Sequence, residues 1–134
     1  MLFRSSKTLL SGNLINQIIE SEKDILWVQT NYGLNRLVTK QQTSQSFSEF
    51  KGQYFMANNK DDMLFILKDD GYLYYYQREA QSFNRLEIPN LEFSHVLSMT
   101  VDSNDILWIF TSNEETQSYR IENTKQGQIG RAHV

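Results

Sequence analysis

A seven-residue segment recurs along this chain, and it constrains the fold more than any other feature. DILWVQT at 24–30 returns as DILWIFT at 105–111, and a looser copy, DMLFILK, occupies 62–68. Aligned on Trp27, Phe65 and Trp108, the copies are 38 and 43 residues apart. A repeat of about 40 residues is typical of an array of small structural units that stack on one another.

Each copy lies among further short segments with strand character, separated by polar turns. The predicted strands are 14–20, 25–30, 34–38 and 47–50 in the first unit, 54–57, 63–68, 72–76 and an outer strand near 81–83 in the second, and 94–101, 106–111 and 118–121 in the third. Four short antiparallel strands in about 40 residues make one blade of a β-propeller. We therefore expect an all-β fold, a partial propeller with three blades of four-stranded antiparallel sheet.

The expected boundaries follow from this spacing. We divide the chain into a lead-in at 1–12, blades at 13–51, 52–91 and 92–124, and a tail at 125–134 that is disordered or artificial in origin. Since a closed propeller needs about four to eight blades, three units leave two apolar blade faces uncovered. We expect self-association through these open faces, as a six-bladed ring of two copies or as a two-fold dimer.

The turns within the units carry residues suited to tight hairpins. Asp24, Asp62 and Asp105 each end the first turn of a unit, and Asp is among the residues that tolerate a left-handed backbone. Gly33 and Gly71 hold matching places in the second turns, where a positive φ is commonly required. We predict hairpins at all of these positions.

Composition excludes several classes of function. The net charge is −3, and the basic residues form no stripe that would follow a phosphate backbone, so nucleic acid is not an expected partner. The chain has no Cys, which excludes thiolate chemistry, and no apolar run of membrane-spanning length, so we expect no membrane contact by this segment. No nucleophile with its base and no phosphate-binding loop can be assembled, so an enzyme and a cofactor are not expected.

The residues of the first unit resemble the propeller repeat of two-component regulators. In that family an acidic pair, a turn glycine, Leu-Trp-Ile-Gly-Thr, Gly-Leu and an Arg follow one another, as Ile19-Glu20, the segment 24–30 and Gly33-Leu34-Asn35-Arg36 do here. The match covers most of 13–123. This chain departs from the pattern at the turn glycine, which is Asp24, and at the glycine before Thr, which is Gln29.

The resemblance implies a function. Such repeats build the periplasmic sensor of inner-membrane-anchored hybrid histidine kinases, which commonly bind oligosaccharides and signal to the kinase. On this reading the chain is a non-enzymatic sensing segment whose kinase lies outside it. Two alternatives stay open: a propeller scaffold for protein–protein interaction, and a fragment of a carbohydrate-active propeller enzyme.

Candidate ligand-binding residues are few. Tyr72, Tyr74 and Tyr76 alternate along one strand and so share a face that could stack on a sugar, although packing between blades would also explain them. His95 stands where a strand is expected to line the propeller channel. By contrast, we expect Trp27, Phe65 and Trp108 to be structural, because they recur at one place in every unit.

Two acidic turns, one with Asp61 and Asp62 and one with Asp69 and Asp70, offer carboxylates of the kind that bind Ca²⁺. Neither turn has the ligand spacing of a calcium loop. Acidic residues also favour turns for conformational reasons alone. We therefore expect solvated turns and no metal site.

Overall fold

The computed structural model describes residues 10, 12, 14–88, 90–112, 117–122 and 128–131, with backbone only for the last two segments. The chain divides into two compact units, Met1–Gln53 and Tyr54–Val134. Each unit is described by itself below. No helix in these described segments is long and apolar enough to cross a membrane.

The first unit contains one antiparallel sheet with strands in chain order. The strands are β1 (Ile15–Glu20), β2 (Ile25–Thr30), β3 (Gly33–Val38) and β4 (Thr43–Phe47). β2 is buried along most of its length, whereas β1 is largely exposed. An interior strand covered on both faces reads as a nearly continuous apolar run, which is how the sequence of β2 reads.

The second unit contains two more sheets of the same kind. The second sheet consists of β5 (Tyr54–Asn58), β6 (Leu64–Lys68), β7 (Tyr72–Gln77) and β8 (Ser82–Glu87). The third consists of β9 (Val96–Val101), β10 (Ile106–Thr111), β11 (Gln117–Glu122) and β12 (Gln128–Arg131), and a 3-10 helix over Phe93–His95 leads into it. The predicted fold class, an all-β partial propeller with three four-stranded antiparallel blades, is confirmed.

Two sequence predictions about outer strands are wrong. The fourth strand of the first sheet is Thr43–Phe47 and not 47–50, and Gln128–Arg131, expected to lie outside the fold, pairs with β11. Both strands are mainly polar. An outermost strand is held by backbone hydrogen bonds along one edge, so it needs no apolar alternation that a sequence would reveal. The artificial origin of the tail stays a prediction.

A core of apolar side chains joins the second and third sheets. It contains residues from β5, β6, β7, β9 and β10 together with Ile88, and its buried members are Ala57, Phe65, Leu67, Leu73, Tyr75, Ile88, Val96, Met99, Leu107 and Ile109. Removing this much apolar surface from water is the main favourable term in folding. The opposite face of the second sheet is the one that carries Tyr72 and Tyr74.

The first turns of the three sheets adopt the predicted left-handed backbone. The φ angles of Asp24, Asp62 and Asp105 are 66°, 62° and 60°, and those of Gly33 and Gly71 in the second turns are 147° and 83°. An L-residue other than Gly, Asn or Asp is strained there. The turn chemistry expected from the sequence is therefore confirmed.

Candidate functional site

The predicted tyrosine face lies on β7 of the second sheet. Tyr72, Tyr74 and Tyr76 point to one side, while Leu73 and Tyr75 point to the other and enter the core with the third sheet. On the adjacent strand Arg85 lies directly opposite Tyr74. Tyr72 and Tyr74 are half-buried, so each ring keeps part of its surface in solvent.

Asp70 holds the first two of these tyrosines in place. Its Oδ1 accepts a hydrogen bond from the backbone N–H of Tyr72 at 3.0 Å, and its Oδ2 accepts one from the Tyr74 hydroxyl at 2.6 Å. The turn between them contains Gly71, whose positive φ lets the chain reverse within this short span. The carboxylate therefore fixes both the start of β7 and the direction of one phenol.

Two cations lie over the phenol rings. The guanidinium carbon of Arg85 is 4.3 Å from the Tyr72 ring centroid, and Nζ of Lys68 is 5.9 Å from that of Tyr74. Both distances suit a cation–π interaction. We call Lys68, Asp70, Tyr72, Tyr74 and Arg85 the tyrosine cluster.

The electrostatics of the cluster keep Tyr74 protonated. Burial raises the pKa of the Tyr74 hydroxyl above its ordinary value, and the hydrogen bond to Asp70 raises it further, while Arg85 opposes these effects. A phenolate beside a carboxylate would be destabilised by like charge. Tyr74 is thus a neutral donor around neutral pH, and the cluster presents donors and ring surface beside the Asp70 carboxylate.

The other two predicted site residues lie elsewhere. Tyr76 is only 6% exposed and packs against Phe83 with ring centroids 5.1 Å apart, so it has little surface for a ligand. His95 ends the 3-10 helix before β9, and its Nδ1 lies 3.3 Å from a carboxylate oxygen of Glu92. The third sheet packs on the face of the second sheet opposite to the tyrosines. The structure therefore does not bring His95 into the tyrosine cluster.

The recurrent aromatic position has two buried members and one half-buried member. Trp27 and Phe65 are 2% and 0% exposed, whereas Trp108 keeps part of its ring in solvent and stacks on Phe110 with centroids 6.4 Å apart. The structural role expected of Phe65 is visible in the core between the second and third sheets.

A polar residue six positions before each of these aromatics was not singled out from the sequence. The indole N–H of Trp27 donates to Oγ of Ser21 at 3.1 Å, and that of Trp108 donates to Oδ2 of Asp102 at 2.8 Å. Asn59 holds the same place before Phe65. A short polar residue three positions before each turn Asp was the signal that could have revealed this set.

The acidic turns do not form a metal centre in the described part of the chain. No group of three or more His, Asp or Glu side chains there could hold a metal ion. Asp61 and Asp62 belong to the turn before β6, and across the sheets Nζ of Lys60 lies 3.7 Å from a carboxylate oxygen of Asp105. This ion pair links the first turns of the second and third sheets.

Comparison with known proteins supports the fold. No protein-family model matches the sequence, and no curated protein matches it. Among solved structures, the extracellular domain of a hybrid two-component system from Bacteroides thetaiotaomicron is 22% identical over 92% of this chain, with a TM-score of 0.68. A second structure of that domain, described as belonging to a one-component system, is 21% identical over 93% of this chain, with a TM-score of 0.68.

Two further proteins share the fold. A structural-genomics protein of unknown function from the same organism is 14% identical over 90% of this chain, with a TM-score of 0.66. The N-terminal domain of Nup159 is 20% identical over 96% of it, with a TM-score of 0.57. This chain spans 17% to 34% of the lengths of these structures. At such identities the likeness shows a common all-β repeat fold and leaves function to the site.

Proposed function

We propose that this chain is an extracytoplasmic ligand-sensing segment of a hybrid two-component regulator, that it recognises an oligosaccharide, and that it signals to a kinase outside the chain. The observation that carries this proposal is the tyrosine cluster, because it combines exposed ring surface with fixed polar groups. The parent protein would be anchored in the inner membrane, with this segment in the periplasm.

The cluster has the chemistry that a sugar requires. The apolar C–H face of a pyranose stacks on a phenol ring, while its hydroxyls need both donors and acceptors at the ring edge. Tyr72 and Tyr74 supply half-buried rings, and a sugar would stack on the ring surface that Arg85 and Lys68 leave uncovered. Arg85 and Lys68 supply N–H donors, and Asp70, already bonded to Tyr74, supplies a carboxylate acceptor.

The pre-set geometry favours ligand binding. Asp70 holds the Tyr74 hydroxyl at 2.6 Å and the start of β7 at 3.0 Å, so these groups lose little freedom when a ligand arrives. Shared fold with the extracellular domain of a hybrid two-component system supports the same class of role. This chain spans only 17% of that protein's length, so the kinase and the membrane anchor named above are part of the proposal.

A second candidate function is a scaffold for protein–protein interaction. Large apolar side chains are exposed on the first sheet, at Ile15 and Ile18, and on the third sheet, at Leu97 and Phe110. Exposed apolar groups that gather on a sheet face mark protein contacts more often than sugar contacts.

The two functions are separated by calorimetric titration of the whole chain with a panel of neutral and acidic oligosaccharides. We expect one class to bind, and Tyr72→Ala to weaken it at least about tenfold, which corresponds to about 1.4 kcal/mol. Tyr74→Phe keeps the ring and removes the hydroxyl, so it should weaken binding less. Tyr32→Ala, at an exposed tyrosine of the first unit, is the matched control.

Binding that survives Tyr72→Ala and Tyr74→Phe unchanged would place the ligand elsewhere. The absence of binding by any glycan in the panel, with the chain folded by circular dichroism, would favour the scaffold function.

A further inference from the structure

The turn before β7 contains the one Asp-Gly pair of the sequence, Asp70–Gly71. The backbone nitrogen that follows an aspartate can attack its side chain and close a succinimide ring, and glycine favours this because it has no Cβ to obstruct the approach. Asp70 is exposed and Gly71 is half-buried, so water reaches both. A Cβ added at Gly71 would meet nothing within 4 Å. This side of the turn is therefore open to a reaction of the chain with itself.

The reaction has two steps and needs only water. In the first, the nitrogen of Gly71 bonds to Cγ of Asp70, and one carboxyl oxygen leaves as water with the proton of that nitrogen and the proton of the carboxyl group. In the second, water adds to one of the two ring carbonyls, the bond from that carbonyl to the nitrogen breaks, and the nitrogen takes back a proton. Opening at the Cγ carbonyl restores aspartate, and opening at the main-chain carbonyl gives isoaspartate.

Hydrogen bonds in and beside the tyrosine cluster oppose ring closure. The N–H of Gly71 donates to the carbonyl of Lys68 at 3.0 Å, which holds the attacking nitrogen in the turn. The backbone N–H of Tyr72 and the hydroxyl of Tyr74 donate to Oδ1 and Oδ2 of Asp70. Ring closure removes one of these two oxygens, so it costs a hydrogen bond to a charged group.

Asp102 offers an internal comparison from the third sheet. Its Oδ1 accepts a hydrogen bond from the backbone N–H two residues on, at Asn104, and its Oδ2 accepts one from the indole N–H of Trp108. Asp102 is half-buried, however, and the next residue is Ser103, whose Cβ obstructs the approach. Of these two similarly bonded carboxylates, Asp70 alone precedes a glycine.

We propose that Asp70–Gly71 is a site of aspartate isomerisation, that the Tyr74 hydroxyl restrains the reaction, and that conversion to isoaspartate dismantles the tyrosine cluster. In isoaspartate the main chain runs through the former side-chain carbonyl, so the backbone gains a methylene group and the free carboxylate moves to Cα. The Tyr72 N–H and the Tyr74 hydroxyl then lose their acceptor. A loss of glycan binding on conversion rests on the proposed function, whereas the isomerisation does not.

The test is incubation of the whole folded chain in water enriched in heavy oxygen, followed by peptide mapping with mass spectrometry. Label and isoaspartate should accumulate at Asp70 and not at Asp102. Tyr74→Phe should raise the rate about threefold or more, because the carboxylate loses a restraining donor. Tyr32→Phe, at an exposed tyrosine of the first unit, should leave the rate unchanged.

A second control removes the reactive neighbour and keeps the turn. Gly71→Asn adds a Cβ where there is space, and asparagine tolerates the positive φ of 83°. This variant should lose most of the labelling at Asp70. Circular dichroism shows that each variant is folded.

The isomerised chain, separated by chromatography, reports on the cluster without any ligand. Because the hydrogen bond to Asp70 raises the pKa of Tyr74, this form should ionise one phenol at lower pH in an ultraviolet titration. Its binding is then compared with that of the intact chain, using the same oligosaccharide panel.

Four outcomes would overturn the proposal: no isoaspartate at Asp70, equal rates in the parent chain and Tyr74→Phe, undiminished labelling in Gly71→Asn, or an unchanged phenol titration after isomerisation. An isomerised chain that binds the same oligosaccharide as the intact chain would overturn the effect on binding. Isomerisation at Asp70 in a chain that binds no glycan would instead count against the proposed function and support this inference.

Discussion

The second and third sheets carry the same aromatic position in two different settings. Phe65 is fully buried beneath the third sheet. Asn59 precedes it by six residues, and Oδ1 of Asn59 accepts hydrogen bonds from the backbone N–H groups of Asp61 and Met63. Trp108 is half-buried and donates its indole N–H to Asp102. Oδ1 of Asp102 accepts two backbone hydrogen bonds just as that of Asn59 does.

Between the two sheets, the aromatic residue and the polar residue six positions before it differ together: Phe65 follows Asn59, and Trp108 follows Asp102. The second oxygen of Asp102 accepts a hydrogen bond from the indole N–H of Trp108, whereas Phe65 has no polar ring atom to offer and Nδ2 of Asn59 has no hydrogen-bond partner within the described residues. A buried polar atom without a partner costs about 1–3 kcal/mol. In the second sheet this cost accompanies the complete burial of Phe65.

Truncating the two aromatics should give the largest contrast. Phe65→Ala should lower the free energy of unfolding by about 3–5 kcal/mol, because it leaves a cavity in a closed core. Trp108→Ala should cost about 1–2 kcal/mol in dilute, monomeric protein, because its ring is partly in solvent and the site can relax. Urea unfolding measures both. Equal losses would mean that the two positions are equally covered.

Placing the Asn–Phe pair of the second sheet at positions 102 and 108 should separate the contribution of the indole hydrogen bond to stability from that of ring packing. Asp102→Asn should cost about 1–3 kcal/mol, since it sets an amide N–H₂ against the indole N–H. Trp108→Phe leaves one carboxylate oxygen without its donor and should cost a similar amount. The double variant restores the Asn–Phe pair of the second sheet.

We expect the double variant to be more stable than the sum of the single losses predicts by about 1 kcal/mol or more, as a double-mutant cycle in urea would show. Additivity within about 0.5 kcal/mol would mean that the two residues act independently.

Alkaline pH should distinguish the sheets next, because Tyr54 occupies on β5 the place that Val96 occupies on β9. Each pairs with the last residue of the neighbouring strand. Burial raises the pKa of Tyr54 well above its usual value, so the folded chain keeps the phenol neutral while the unfolded chain ionises near about pH 10. This contribution to stability is complete below that pH and is lost as the pH rises towards the folded pKa.

Tyr54→Phe should therefore reduce the loss of stability in alkali and remove a late-ionising phenol from an ultraviolet titration. Tyr32→Phe, at an exposed site, is the control and should leave the late component in place. An unchanged late component after Tyr54→Phe would contradict the assignment.

The first turns should give the smallest contrast. Asp62→Gly should change the free energy of unfolding by less than about 0.5 kcal/mol, because relief of the left-handed backbone offsets the added freedom of the unfolded chain. Asp105→Gly should cost up to about 1 kcal/mol more, because it also removes the ion pair with Lys60. The extra cost should fall in high salt, and a difference insensitive to salt would argue against the ion pair.

Much of the fold was predictable because it rests on local chemistry. The apolar runs of β2 and β10 gave both strands their correct bounds, and the conformational preference of Asp placed the first turns. β4 and β12 were missed because an edge strand needs only backbone pairing. The residues before β9 were predicted as strand, yet Phe93–His95 forms a 3-10 turn, closed by a hydrogen bond from His95 N–H to the carbonyl of Glu92.

The candidate site was predictable only in part. Alternation placed Tyr72 and Tyr74 on one face, but it could not show that Tyr76 packs beneath Phe83 or that Arg85 lies over a ring. Those contacts depend on the pairing register of β7 with β8, which a polar loop of variable length sets. Whether these residues bind a ligand stays a prediction.

The placement of the two indoles makes the chain its own optical probe. Trp27 and Trp108 are its only tryptophans, one enclosed in the first sheet and the other half in solvent on the third. Emission from Trp108 should be red-shifted and quenched by acrylamide, while emission from Trp27 should be protected from quenching. If the third sheet is covered by a second copy, quenching of Trp108 should fall as the protein concentration rises. Fluorescence can therefore follow assembly without any added dye.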